Sequence, residues 1–225
     1  MMVERYAALL IRWRWLVVLL SLVWVFAAGS GGRFLSFTND YRVFFSEENP
    51  QLQAFDELQN TYNKNDNALV VITPKSGNVF TPEILSVVEE ITEAAWQTPY
   101  SLRVDSITNF QHTYAEADDL VVENRVEDAL TLGPEKIARV KAVALAEPGL
   151  LNRIISPSAH VTGVNVTVHL PEIDLQAEVP EVISFIRNLA KEYEAKYPQI
   201  EIRLTGVVFM NNAFPEAAKS DVKTL

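Results

Sequence analysis

The chain of 225 residues carries 19 lysines and arginines against 29 aspartates and glutamates, a net charge of −10, and it has no cysteine. The charge is split: Arg5, Arg12 and Arg14 outweigh Glu4 and leave residues 1–32 at +2, so the remainder stands at −12. That balance argues against nucleic acid as a partner, which needs a basic footprint, and against docking of the acidic part on an anionic membrane surface; the missing thiol excludes thiol catalysis, thiolate metal sites and redox switching.

Tyr6 to Gly32 is the first predicted element. Leu16 to Ala28 is apolar apart from one serine, and Trp15 to Gly32 carries no charge. That run is close to the ~20 residues needed to cross a hydrocarbon core of ~30 Å. Trp13, Trp15 and Trp24 are side chains of the kind that settle at membrane interfaces, and the flanking arginines predict a cytoplasmic N-terminus with residue 33 onward outside. A cleaved signal peptide is the competing reading, with Ala27-Ala28-Gly29-Ser30 as the cleavage site. The length of the run and the bulky Trp24 and Phe26 near its end favour a retained helix. A helix buried in a soluble core would leave the flanking arginines and tryptophans without a role.

Residues 33–48 form an aromatic, acidic linker. Asn49-Pro50 then opens a helix over Pro50 to Tyr62, with Leu52, Phe55, Leu58 and Tyr62 at three- and four-residue spacing. Asn63 to Asn67 is a polar turn. Ala68 to Thr73 is a short β-branched run, read as a buried strand. Thr81-Pro82-Glu83 starts a helix whose Ile84, Val87, Val88, Ile91 and Ala95 share a face. After Thr98-Pro99, Leu102 to Thr108 alternates as a second strand. The same grammar returns later: a strand over Val161 to Leu170, a loop over Pro171 to Glu178, a helix opened by Pro180, and a strand over Ile200 to Gly206.

The order β-α-β-β-α-β predicts an α+β fold of the ferredoxin-like split arrangement, with helices on one face of an antiparallel sheet. Between its halves, Asn109 to His160 reads as a helical hairpin, one helix carrying Val121, Val122, Val126, Ala129 and Leu130 and the other spanning Pro134 to Ala146. Val207 to Leu225 reads as a closing helix. The expected organisation is a cytoplasmic N-terminus and membrane helix over 1–32, a linker and helix over 33–67, an extracytoplasmic domain over 68–206 with its insertion over 109–160, and a helix over 207–225 leading to a further membrane segment.

No motif nominates an active site. His112, His160 and His169 lie far apart and fit no metal-ligand spacing. Glu47-Glu48 and Asp118-Asp119 are sequence neighbours that read as solvated charges. Gly29-Ser30-Gly31-Gly32 matches neither a phosphate loop nor a dinucleotide fingerprint, and no nucleophile elbow occurs. Asn165-Val166-Thr167 has the form of a glycosylation acceptor but falls inside a predicted strand. The expectation is a chain that is not an enzyme and has no catalytic, cofactor-binding or metal-binding residue, with the substrate-binding residues left unknown.

Two stretches carry a family resemblance: Thr38-Asn39-Asp40-Tyr41-Arg42-Val43-Phe44-Phe45 with Glu48-Asn49-Pro50, and Phe55-Asp56-Glu57-Leu58-Gln59 in the helix that follows. Leu204-Thr205-Gly206, followed by a helix containing Asp221, adds to them. Together they resemble the first membrane helix and first extracytoplasmic porter domain of a transporter of the resistance–nodulation–cell division (RND) superfamily. The branch it looks most like comprises exporters of lipids and hydrophobic molecules, with the mycobacterial-type large membrane proteins and the hopanoid exporters. The resemblance implies a proton-driven exporter in the cytoplasmic membrane of which this chain is an N-terminal fragment. Its implied partners are membrane lipids or hydrophobic small molecules, the remainder of the same transporter and a second copy. An apolar groove between the sheet and a neighbouring copy of the fold would hold the substrate, and Phe34, Phe37, Phe44 and Phe45 are either groove residues or packing of the linker. Leu16 to Ala28 has no ionisable residue, so none of the family's proton-coupling positions carries over. The other reading of the same layout is a membrane-anchored extracytoplasmic binding or sensor domain without transport, and a weaker third is a secreted hydrolase behind a signal peptide.

Overall fold

A computed structural model describes residues 11–31, 44–46, 48–61, 66–116, 119–124 and 126–224, with backbone alone for 60, 112–116, 119–124, 219, 222 and 223. The chain divides into two units, Met1–Thr38 and Asn39–Leu225.

The first unit holds helix α1, Arg14–Ser30, which the apolar run dictates and which Gly31 closes with backbone N–H bonds to the Ala28 and Gly29 carbonyls. None of its side chains is buried. At 1.5 Å per residue its 17 residues extend about 26 Å. No helix among the described residues is long and apolar enough to cross a membrane. The expected span of Tyr6 to Gly32 includes residues 6–10 and 32, which lie outside the described residues.

In the second unit, α2 is Pro50–Thr61. The Asn49 side chain starts it by accepting the N–H of Gln51 (2.9 Å) and of Leu52 (3.4 Å). Then follow β1 (Asp66–Pro74), α3 (Pro82–Ala95), β2 (Ser101–Asp105), a hairpin of β3 (Gln111–Glu116) and β4 (Asp119–Asn124), α4 (Pro134–Ala146), β5 (Thr162–Val168), α5 (Leu175–Lys196), β6 (Ile200–Thr205) and α6 (Val207–Thr224). The unit is α+β. Its main sheet has the order β2-β5-β1-β6, and every neighbour pair is antiparallel. β1 and β2 therefore run the same way with β5 between them, and β5 and β6 run the same way with β1 between them. Each β-α-β unit is split by a strand of the other, so neither half can form its sheet alone.

Strand alternation sorts the side chains between two faces. Ala68, Val70 and Ile72 of β1, Val164, Val166 and Val168 of β5, Val104 of β2 and Ile200 of β6 face inward and are buried. They pack under α3, which contributes Leu85, Val88 and Ile91, and under α5, which contributes Val182, Ile186 and Leu189. Each buried side chain of this size contributes roughly 1.5–3 kcal/mol, and the helices cover this one face.

Three expectations are corrected. The insertion is not a helical hairpin. Gln111 to Asn124 pairs as an antiparallel two-stranded sheet in a register that sets Glu116 opposite Asp119. Thr113, Tyr114, Val121 and Val122 are β-branched or aromatic residues that favour the pleated surface, and the spacing that suggested a helix is satisfied afterwards, where Val126 and Ala129 both turn inward. Among the described residues of the insertion, only Pro134–Ala146 is an α-helix. The second correction is the end of β2, set at Asp105 by Asn109. Its Nδ2 donates to the Val104 carbonyl (2.7 Å) and its Oδ1 accepts the Ser106 N–H (2.8 Å), folding residues 106–110 into a turn.

The third correction concerns α5. Pro171 to Glu178 is not a loop up to Pro180; the helix starts at Leu175 and Pro180 lies inside it. The Asp174 side chain accepts the Gln176 N–H (3.0 Å), and the buried Glu178 carboxylate accepts the N–H groups of Glu172, Ile173 and Asp174, each at 3.0 Å. An anion here also meets the positive end of the helix. Glu178→Ala removes the acceptor of three N–H groups and is expected to cost about 2 kcal/mol in chemical denaturation. Glu178→Gln, which keeps one acceptor oxygen, should recover part of that, whereas a loss under about 0.5 kcal/mol for Glu178→Ala would show that water replaces the carboxylate freely.

Candidate functional site

Helices cover one face of the main sheet, and the side chains of the other face are only half-buried or exposed. Pairing register brings Asp105, Asn165, Leu69 and Thr205 into one row across that open face, and Arg103, Thr167 and Asn67 into the next. The turn after β2 sets Phe110 beside them, and the segment after α4 supplies Gly149, Arg153 and Ile154. That segment is tied to β5 by the Gly163 N–H, which donates to the Ile154 carbonyl at 2.7 Å, and by the Thr162 hydroxyl at 3.1 Å. The result is a cleft of about 550 Å³ with an apolar wall of Leu69, Phe110 and Ile154.

Its polar floor is a diagonal pair of amides. Asn67 Nδ2 donates to Asn165 Oδ1 (2.6 Å), Asn165 Nδ2 donates to Thr167 Oγ1 (3.3 Å), and Asn67 Oδ1 accepts the Val207 N–H (3.2 Å). Because a backbone N–H needs an acceptor, the last bond fixes which atom of Asn67 is oxygen and thereby orients Asn165. At the rim, Arg103 Nε pairs with Asp105 Oδ1 at 2.7 Å. Arg153, also at the rim, makes no ion pair among the described residues.

A second cleft, about 610 Å³, lies between α5 and α6. Two of its three charges are closed on each other: both terminal nitrogens of Arg187 reach the Glu216 carboxylate, at 3.0 and 2.9 Å, and Asn212 Nδ2 adds a bond at 3.1 Å, while the third, Lys191, makes no ion pair among the described residues. The bidentate pairing holds the Glu216 carboxyl below its usual range and raises Arg187. On the helical layer, Lys196 Nζ (2.6 Å) and the Tyr197 hydroxyl (2.7 Å) both donate to Glu90. These bonds lower the Glu90 pKa, the one from Lys196 most, and the same pairing raises Lys196. Lys196 also lies over the rings of Tyr193 and Tyr197, which stack with centroids 6.2 Å apart. The cluster fastens the end of α5 to α3 and opens into neither cleft.

The residues weighed from sequence that the structure describes do not converge. His160 Nδ1 meets the hydroxyls of Ser156 and Ser158 within one exposed turn, where Ser156 Oγ also accepts the N–H of His160 and of Val161 at 3.1 Å. That is turn chemistry, with no carboxylate on the ring. His169 is exposed and its N–H donates to the Tyr100 carbonyl (2.9 Å). The His112 side chain, Glu47 and Asp118 lie outside the described residues, and so do Phe34 and Phe37. Glu48, Phe44 and Phe45 are exposed. Gly29 and Ser30 are part of α1 and Gly31 caps it. Asn165 does sit in a strand, and its amide belongs to the cleft floor. Among the described residues no group of three or more His, Cys, Asp or Glu is placed to hold a metal ion.

Sequence reading missed the cleft residues. Alternation carried part of the signal, since Arg103 and Asp105 share a strand face, as do Asn165 and Thr167. The arrival of Arg153 and Ile154, which lie about 50 residues beyond Arg103 and about a dozen before Asn165, had no local signal. No family model matches the chain, and no curated protein matches it.

Proposed function

We propose that this chain is the N-terminal part of a proton-driven RND-type transporter that exports lipids or other hydrophobic molecules. In this reading α1 is its first membrane helix, and the β-α-β-β-α-β unit is a ferredoxin-like porter subdomain that handles substrate outside the cytoplasmic membrane. The observation that carries this is α1 itself. It presents Trp15, Leu16, Leu19, Leu22, Val23, Trp24 and Phe26 with none buried. Leaving about a dozen such side chains in water forgoes on the order of 20 kcal/mol of burial, and a bilayer supplies the missing environment. The open sheet face, free of covering helices, supports a role in contacting another layer or a substrate. Proton coupling would belong to other membrane helices, because α1 after Arg14 has no ionisable group.

The absence of cysteine makes orientation directly measurable. A single Gln97→Cys, on an exposed turn, is expected to react with a membrane-impermeant maleimide in intact spheroplasts. Val3→Cys should react only after permeabilisation. The opposite pattern would overturn the topology. For the exporter itself, the reading frame should continue past Leu225 into several apolar segments of about 20 residues and a second unit of the same topology. A stop there would leave an anchored binding domain instead.

A further inference from the structure

We infer that the cleft over the open sheet face binds an amphiphile through an acidic headgroup, an oxyanion on an alkyl chain, with Arg153 as its ion partner and the Asn67–Asn165 pair as its hydrogen-bonding floor. The inference deepens the substrate-handling reading, and rests on it for why an amphiphile would reach this domain.

Charge selects the sign of the ligand. Arg103 and Asp105 neutralise each other at 2.7 Å, so Arg153 leaves the cleft at +1, while residues 33–225 together carry −12. A local cation in an acidic surround acts at short range and favours an anion that enters the cleft over one that only approaches the surface. Hydrogen bonding suits the same ligand. Each floor oxygen already accepts one bond, that of Asn67 from the Val207 N–H and that of Asn165 from Asn67. Each carboxamide nitrogen uses one of its two N–H groups in the pair network and keeps the other, so the floor offers two N–H donors beside the lone pair left on each oxygen, and the Arg153 charge decides that an anion takes the donors. Donors and a guanidinium fit a phosphate or carboxylate. The wall of Leu69, Phe110 and Ile154 fits a hydrocarbon chain, and 550 Å³ is within the ordinary range for small-ligand sites.

The test uses the full chain in nanodiscs, with equilibrium dialysis of octyl phosphate, inorganic phosphate and octanol corrected for empty discs. Octyl phosphate is expected to bind saturably, one per chain, at least tenfold tighter than either half-molecule. Arg153→Gln should weaken octyl phosphate about tenfold or more and leave octanol unchanged, with Arg153→Lys restoring part. Arg153 is exposed, so melting temperature should not move in either variant. Asn165→Asp, which sets a carboxylate in the floor, should also weaken octyl phosphate at least tenfold. Inorganic phosphate binding as tightly as octyl phosphate would show a free-phosphate site and overturn the inference. Equal binding of octanol, or an Arg153→Gln chain that binds octyl phosphate like the original, would overturn it too. No transport is measured, so a reversed topology or a stop after Leu225 would sink the exporter reading without touching this result, and loss of binding would leave that reading standing.

Discussion

Gly206→Ala is expected to cost about 4 kcal/mol of folding stability and to lower the melting temperature of a chain this size by roughly 8–16 °C. Gly206 joins β6 to α6 with φ +115, a conformation that L side chains rarely adopt. A Cβ placed there would overlap the Asn67 carbonyl oxygen and lie 3.0 Å from Ala68 Cα. Both are backbone atoms of the inner strand β1, paired there with β5, so they have no rotamer by which to withdraw. Gly77→Ala is the matched comparison. Its φ is +70 but nothing lies within 4 Å of the added Cβ, so it carries the conformational cost alone, about 1 kcal/mol. The difference between the two variants, read by denaturant titration, measures the clash. Equal losses would mean that β1 yields and that the close approach is not a constraint.

The same contact has a functional reach. The Val207 N–H, one residue beyond Gly206, is the donor that fixes Asn67, and Asn67 in turn fixes Asn165 in the cleft floor. α6 is also held to α5 by the Arg187–Glu216 pair. Any displacement of α6 relative to the sheet therefore acts on the floor amides through a single hydrogen bond. In the exporter reading α6 leads toward the membrane, which places the cleft one residue contact away from the element that would transmit movement.

Local signals were enough where they were complete. Thr81-Pro82-Glu83 announced α3, and Thr81 Oγ1 does accept the Ile84 N–H at 3.3 Å. Asn49-Pro50 announced α2 in the same way. The alternation of Val164, Val166 and Val168 identified β5 and its buried face. Where the deciding partner was less regular, the reading failed. The first turn of α5 depends on Glu178, a charged residue that the sequence gives no reason to bury, reaching back to three N–H groups. The β3–β4 hairpin depends on cross-strand pairing, which a helical reading of Val121, Val122 and Val126 ignores. The cleft was legible only as polar residues sharing a strand face. What turns them into a site is the crossing of Arg153 and Ile154 over β5, a tertiary event held by the Gly163–Ile154 bond.

If α1 spans a bilayer as proposed, Leu22→Arg is expected to release the chain from the membrane, with the fraction resisting carbonate extraction falling from nearly all to a minority. Leu22 is the middle residue of α1 and is exposed on it. Moving leucine to arginine at the centre of a spanning helix costs about 3–4 kcal/mol on insertion scales, a factor of more than a hundred in the inserted population. A helix of 17 residues is short for a core of ~30 Å, so its margin is narrow and one central charge should exceed it. The arginine introduced at position 22 cannot snorkel to water, since it lies eight residues, about 12 Å, from either end of the helix. Leu22→Ala is the control, because it keeps an apolar surface and should leave the chain in the membrane. The two substitutions also separate the competing readings of this segment. A helix exposed to water in the working protein would leave the original chain in the soluble fraction and make Leu22→Arg indistinguishable from it. A cleaved signal peptide would show in the intact mass of the original chain as the loss of residues 1–28, and the arginine would then act on secretion and not on retention.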